Sequence, residues 1–108
     1  MPQISATVSW DSKKNGPVVS PNPILVPVAA GATVIQWTSD STITNFQISG
    51  LDSSMFTVPA TSGPVTVFTS TDRNTGIGTY KYTVTATHTS GKTAKHDPRI
   101  ENGGGPTS

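Results

Sequence analysis

The stretch Gly78-Thr79-Tyr80-Lys81-Tyr82-Thr83-Val84-Thr85-Ala86-Thr87-His88-Thr89-Ser90-Gly91-Lys92-Thr93-Ala94-Lys95 decides the fold. Tyr80, Tyr82, Val84 and Ala86 recur at every second position with Thr79, Lys81, Thr83, Thr85 and Thr87 between them, the period of a strand with one buried and one solvated face. β-Branched threonine suits the solvated side of such a pleat. Ser90-Gly91 then predicts a hairpin turn and Lys92 to Lys95 the return strand, resuming at Arg99 to Glu101 after Pro98.

The same period appears upstream. Ile4, Ala6, Val8 and Trp10 alternate with Ser5, Thr7 and Ser9, Ile35 and Trp37 share one face of Thr33 to Thr38, and Phe46 and Ile48 share one face of Asn45 to Ser49. Ile24 to Val28, with Pro27, suits an edge strand, and Val65 to Thr69 is a further strand. Met55, Phe56 and Val58 read as a short strand or a plug ahead of Pro59. The prolines and Asn15-Gly16 between Asp11 and Pro23 predict an edge loop, and Asp72, Asn74, Gly76 and Gly78 predict a long turn over Ser70 to Gly78. No apolar spacing of three and four persists long enough to predict a helix. The expected fold is therefore all-β: one sandwich of about seven or eight short strands, antiparallel or mixed, spanning residues 1–102. A glycine-rich tail, residues 103–108, has nothing apolar to bury and is expected to be flexible in isolation.

Composition narrows the function classes. The 108 residues include 18 Thr and 13 Ser against 12% charged residues, so polarity is carried by uncharged side chains. A net charge of +1, with Lys13-Lys14 the only basic run, creates no field for a polyanion, so nucleic acid is not an expected partner. Without cysteine there is no disulfide, thiolate nucleophile or thiolate metal site. Met1 to Trp10 lacks the basic start and apolar run of a signal peptide, and Ile24 to Ala32 is too short to span a bilayer. These features predict a soluble domain that does not insert into a membrane.

Each constellation capable of chemistry has a plainer reading. His88 and His96 are the candidates for a metal pair or a base. A two-residue turn at Ser90-Gly91 pairs Thr85 with His96 and puts His88 on the other face, whereas an odd-length loop or a bulge reverses that placement. Asp72-Arg73-Asn74-Thr75-Gly76 has the Asp-x-Asn-x-Gly spacing of a calcium-loop fragment but lacks the further acids and terminal Glu, which leaves a turn. Five Asp and one Glu, mostly in turns, do not predict paired catalytic carboxylates, and there is no Gly-x-Ser-x-Gly elbow. Trp10, Trp37, Tyr80 and Tyr82 could form a stacking platform, but each falls on the apolar face of its strand and is read as core. No catalytic, cofactor-binding or metal-binding residue is assigned.

Two segments carry a resemblance. Val28-Ala29-Ala30-Gly31-Ala32-Thr33-Val34-Ile35-Gln36-Trp37, followed by Phe46 and then Gly78-Thr79-Tyr80-Lys81-Tyr82-Thr83-Val84, resembles the cupredoxin-like sandwich, and the Tyr-x-Tyr-x-Val ending with Asp97-Pro98-Arg99-Ile100 after it resembles small bacterial proteins of that kind. The likeness covers about 60 residues from Val28 onward, counted along the printed sequence. Blue-copper members of the family carry a histidine before the middle strand and a Cys, His and Met cluster after the Tyr-x-Tyr strand. Here Asn45 stands near the first position, Cys is absent and Met55 lies elsewhere, leaving only His88 near a ligand-bearing region. The resemblance thus implies a scaffold without its copper, with the immunoglobulin-like sandwich as the alternative topology.

The expected function is a non-enzymatic binding or interaction module that displays the Asp11–Pro23 and Ser70–Gly78 loops to a protein partner. The alternative is a structural subunit that self-assembles in a decoration, capsid or surface-layer array, suggested by the uncharged Thr-rich faces and the glycine-rich tail. A metal or redox protein using His88 and His96 is the third expectation. No cofactor is expected.

Overall fold

The computed structural model describes residues 2–57 and 64–103; Val58, Pro59 and the tail from Gly104 onward lie outside the described residues. The described residues form ten strands: β1 (Gln3–Asp11), β2 (Gly16–Ser20), β3 (Ile24–Val26), β4 (Thr33–Ser39), β5 (Ile43–Ser49), β6 (Val67–Asp72), β7 (Gly78–Lys81), β8 (Thr83–His88), β9 (Thr93–His96) and β10 (Arg99–Asn102). The chain is all-β and sandwich-like, as its alternation predicts. Hydrogen bonding groups the strands into a four-stranded sheet, β2-β1-β4-β6, and two three-stranded sheets, β3-β10-β7 and β5-β8-β9. The sheets are mixed, since β1 runs parallel to β4 and β3 parallel to β10.

The alternating residues fill the interior. Ala6, Val8, Ile35, Trp37, Phe46, Val84 and Ala86 are all buried in one apolar cluster, with Ile4 and Trp10 packed against it. Met55 and Phe56 are buried as well, so the stretch Met55–Thr57 after β5 plugs the core. It also covers the outer edge of β6: Thr57 donates its N–H to the Thr71 carbonyl, and Arg73 donates to Met55. An edge paired in this way has fewer open groups for another strand.

Several local expectations are corrected. The alternation through Tyr80, Tyr82, Val84 and Ala86 is not one strand: β7 ends at Lys81 and pairs with β10, whereas β8 begins at Thr83 and pairs with β5. Tyr82 lies between them, its N–H bonded to the Pro98 carbonyl, so the chain changes sheets there. Periodicity continues across the junction because the backbone stays extended, and period alone carries no record of which strand lies alongside. Asp11 to Pro23 is not simply a loop. Its Gly16–Ser20 portion pairs antiparallel with β1, and Pro17 is tolerated because β2 is an outer strand. Asn15 in the intervening turn has φ of 56°, a conformation that asparagine accepts more readily than most residues. The second strand stops at Val26, and Val28–Ala30 forms a short 3₁₀ turn.

The last hairpin is also shifted. Gly91 adopts φ of 96° as the third residue of a loop running from Thr89, and its N–H bonds to the His88 carbonyl. A three-residue loop closing on a left-handed glycine is a common hairpin connection. The register becomes Val84 opposite His96 and Thr87 opposite Thr93, one residue away from that of a two-residue turn.

Candidate functional site

The outward side of the four-stranded sheet is built from residues that local alternation turns away from the core. β1 contributes Gln3, Ser5, Thr7 and Ser9; β2 contributes Val18 and Ser20; β4 contributes Val34, Gln36 and Thr38; β6 contributes Val67, Thr69 and Thr71. Register places them in rows across the strands. Gln3 lies beside Val34 and Thr71, Ser5 beside Gln36 and Thr69, and Thr7 between Ser20 and Thr38, with Val67 beyond. None of these side chains is charged, and Asp11 at the far end of β1 is the only acid on this side of the sheet strands. A shallow polar depression crosses the face between Gln3, Gln36, Thr57 and Thr69. Gln3 donates an amide N–H to Gln36 Oε1 at 3.3 Å within it.

A second outward face repeats the chemistry on β5-β8-β9. Gln47 lies beside Thr85 and Lys95, Asn45 beside Thr87 and Thr93, and Ser49 beside Thr83. The Thr87 and Thr93 hydroxyls are 3.2 Å apart. Apart from Lys95, such faces offer hydroxyl and amide groups without the desolvation penalty of buried charge, and threonine has little rotamer freedom to lose.

The sequence candidates are distributed differently. The shifted hairpin register puts His88 and His96 on the same face as Val84 and Ala86, correcting the expectation of opposite faces. They still do not form a pair, because His96 lies opposite Val84, four strand residues from His88, or roughly 13 Å along the strand. His88 instead caps its own turn: Nδ1 accepts the Ser90 N–H at 3.1 Å, and the ring lies 5.0 Å from that of Trp10. Among the described residues, no group of three or more His, Cys, Asp or Glu could hold a metal.

The aromatic residues are core and supports of core. Trp37 and Tyr82 are buried, their rings packed edge to face at 5.5 Å, and Trp37 also meets Phe68 at 5.8 Å. Tyr80 packs edge-on against Phe56. Burial pushes the Tyr82 phenol well above its ordinary acidity range, partly opposed by the hydrogen bond from Trp37.

Ser70 to Gly78 is not a loop throughout, because its first residues belong to β6 and Ser70, Asp72 and Asn74 are buried. Asp72 Oδ1 accepts the Asn74 backbone N–H at 2.8 Å and the Asn102 side-chain N–H at 2.9 Å. Asn74 Nδ2 donates to the Pro27 and Gly31 carbonyls at 2.8 and 2.9 Å. The supposed calcium-loop fragment therefore fastens β6 to β10 and to the turn after β3. Sequence reasoning missed this cluster because Asn102 looked like the end of the domain, and nothing local marked it as a partner of Asp72. Among the described residues, no helix is long and apolar enough to cross a membrane. Compared with family models and with curated proteins, the chain matches none.

Proposed function

We propose that this chain is a non-enzymatic interaction module that meets a second copy of itself through the uncharged face of β2-β1-β4-β6, on a copper-free cupredoxin-like scaffold. The observation carrying this reading is the charge-free patch of twelve outward side chains on four adjoining strands. The centres of protein interfaces are depleted in charged residues, and short β-branched side chains lose little entropy when covered. The parallel β1–β4 pair favours the cupredoxin-like over the immunoglobulin-like alternative, whose two sheets are antiparallel. The strand within Asp11–Pro23 and the burial of Ser70, Asp72 and Asn74 support placing the proposed surface on the sheet rather than on those two segments.

A second reading, a structural subunit of an extended assembly, draws on the second Thr-rich face, on β5-β8-β9, where Lys95 is the one charge among the paired residues. Two self-complementary faces give each copy two neighbours, enough to propagate an array.

Light scattering coupled to size-exclusion chromatography, over a hundredfold concentration range, tests both readings. The module predicts a dimer in equilibrium with the 11.2 kDa monomer, abolished by Thr38→Lys with Thr69→Lys. Species larger than a dimer that fall back to a dimer in this variant, and likewise with Thr85→Lys alone, favour the array. A monomer at every concentration removes both.

A further inference from the structure

The side-chain cluster at the end of β6 contains an unbalanced set of hydrogen-bonding atoms. Asp72, Asn74 and Asn102 are 0%, 5% and 1% exposed. Asp72 Oδ1 takes both available N–H donors, from Asn74 and Asn102, while Oδ2 takes none. Asn74 Oδ1 and Asn102 Oδ1 are likewise enclosed without a donor. Three buried acceptors thus lack hydrogens, and a buried acceptor left bare is destabilising, more so where it carries charge.

The asymmetry between the two carboxyl oxygens has a chemical reading. An ionised carboxylate spreads its charge equally and needs donors at both ends, whereas a carboxylic acid has one accepting carbonyl and one donating hydroxyl. Oδ1, holding both N–H groups, behaves as the carbonyl. Oδ2, buried without a donor like the amide oxygens of the two asparagines bonded to Oδ1, has the role of the hydroxyl. We propose that Asp72 is held in the folded chain as the neutral carboxylic acid, Oδ2–H donating to the Asn102 amide oxygen, and that loss of this proton loosens the joint between β6 and β10.

Among the described residues, no nearby charge supplies a competing explanation. β4 and the β3-to-3₁₀ segment contribute no titratable side chain to the joint. On β10, Arg99 and Glu101 alternate away from Ile100 and Asn102. Arg73, next in the chain, turns its guanidinium to the Ser53 carbonyl, and the Asp52 carboxylate is held by Ser54. On β7, Tyr80 packs against Phe56, and Lys81 alternates to the opposite side. Burial pushes the Asp72 carboxyl above its ordinary range, against the two N–H bonds, which act to lower it. Calcium normally gathers six to eight oxygens including several carboxylates, and this cluster has one acid.

Because the folded-state pKa is raised, the acid's contribution is complete below the unfolded-chain value and is lost as pH rises through the folded-state value. Within that window the unfolding constant should grow about tenfold per pH unit. Carboxyl-carbon NMR of the unaltered protein, with the Asp72 signal identified by its absence in Asp72→Asn, should show a titration displaced upward from the other aspartates. Asp72→Asn, which replaces Oδ2–H by an amide N–H, should remove this pH slope from urea unfolding. An Asp72 carbon titrating with the other aspartates overturns the proposal. So does stabilisation at alkaline pH by calcium or potassium chloride over choline chloride, which would place a cation on the same oxygens.

Discussion

Trp37 Nε1–H donates to the Tyr82 hydroxyl oxygen at 3.0 Å, inside the core and across 45 residues of sequence. The bond joins β4, in the middle of the four-stranded sheet, to the point where the chain passes from β7 to β8. Both polar atoms come inside attached to large aromatic bodies, and each meets its need by facing the other.

Tyr82→Phe keeps the ring and removes the acceptor, leaving the Trp37 N–H buried and unpaired. The expected loss is about 1–3 kcal/mol in urea unfolding, with little change in the slope of the transition.

The raised pKa of Tyr82 has an alkaline consequence. Its contribution is complete below the unfolded-chain value and is lost as pH rises towards the folded-state value, because only the unfolded chain readily forms the phenolate. Phenolate absorbance should show Tyr82 ionising together with loss of structure, and Tyr82→Phe should reduce the alkaline slope of stability.

Asn74 combines a positive φ of 53° with two bonds to the Pro27 and Gly31 carbonyls. Asn74→Gly preserves the backbone geometry and loses both bonds, at an expected cost of about 1–3 kcal/mol. Asn74→Asp removes both donors and buries a new carboxylate beside the Asp72 carboxyl group. Thermal unfolding should therefore rank it below Asn74→Gly at neutral pH.

Gly103 follows β10 with φ of 76°, its N–H bonded to the Val26 carbonyl. A Cβ there would lie 2.8 Å from Ile77 and 2.9 Å from Val28. Gly103→Ala should cost about 1–2 kcal/mol from the left-handed backbone alone, with any added loss reflecting how far the two side chains yield. The same substitution paired with Ile77→Ala should recover part of the crowding loss.

Thr38→Lys and Thr69→Lys place charge on the outer face without touching the core. Each should change stability by no more than about 0.5 kcal/mol, so an effect on solution mass can be assigned to the face itself. Circular dichroism melts of the variants check this directly.

Much of the fold was legible in alternation. A period of two is a property of extended backbone, so Ile4 to Trp10, Ile35 with Trp37, and Phe46 with Ile48 could be assigned a buried side before any partner strand was known. The uncharged faces were legible for the same reason, since the residues between the apolar ones must point the other way. Less legible was Gly91: Ser90-Gly91 fits two loop lengths, and the choice between them moves His96 to the other face.

By itself the sequence determined an all-β chain, the inward and outward members of its main strands, and a surface poor in charge. The tertiary structure alone decided where the chain changes sheets at Tyr82, that β1 runs parallel to β4, and that Asp72 lies buried against Asn102. Inward and outward are set by neighbours one or two residues away. Strand partners and buried polar contacts are set by groups far along the chain, as with the 30 residues between Asp72 and Asn102, and no local period records them.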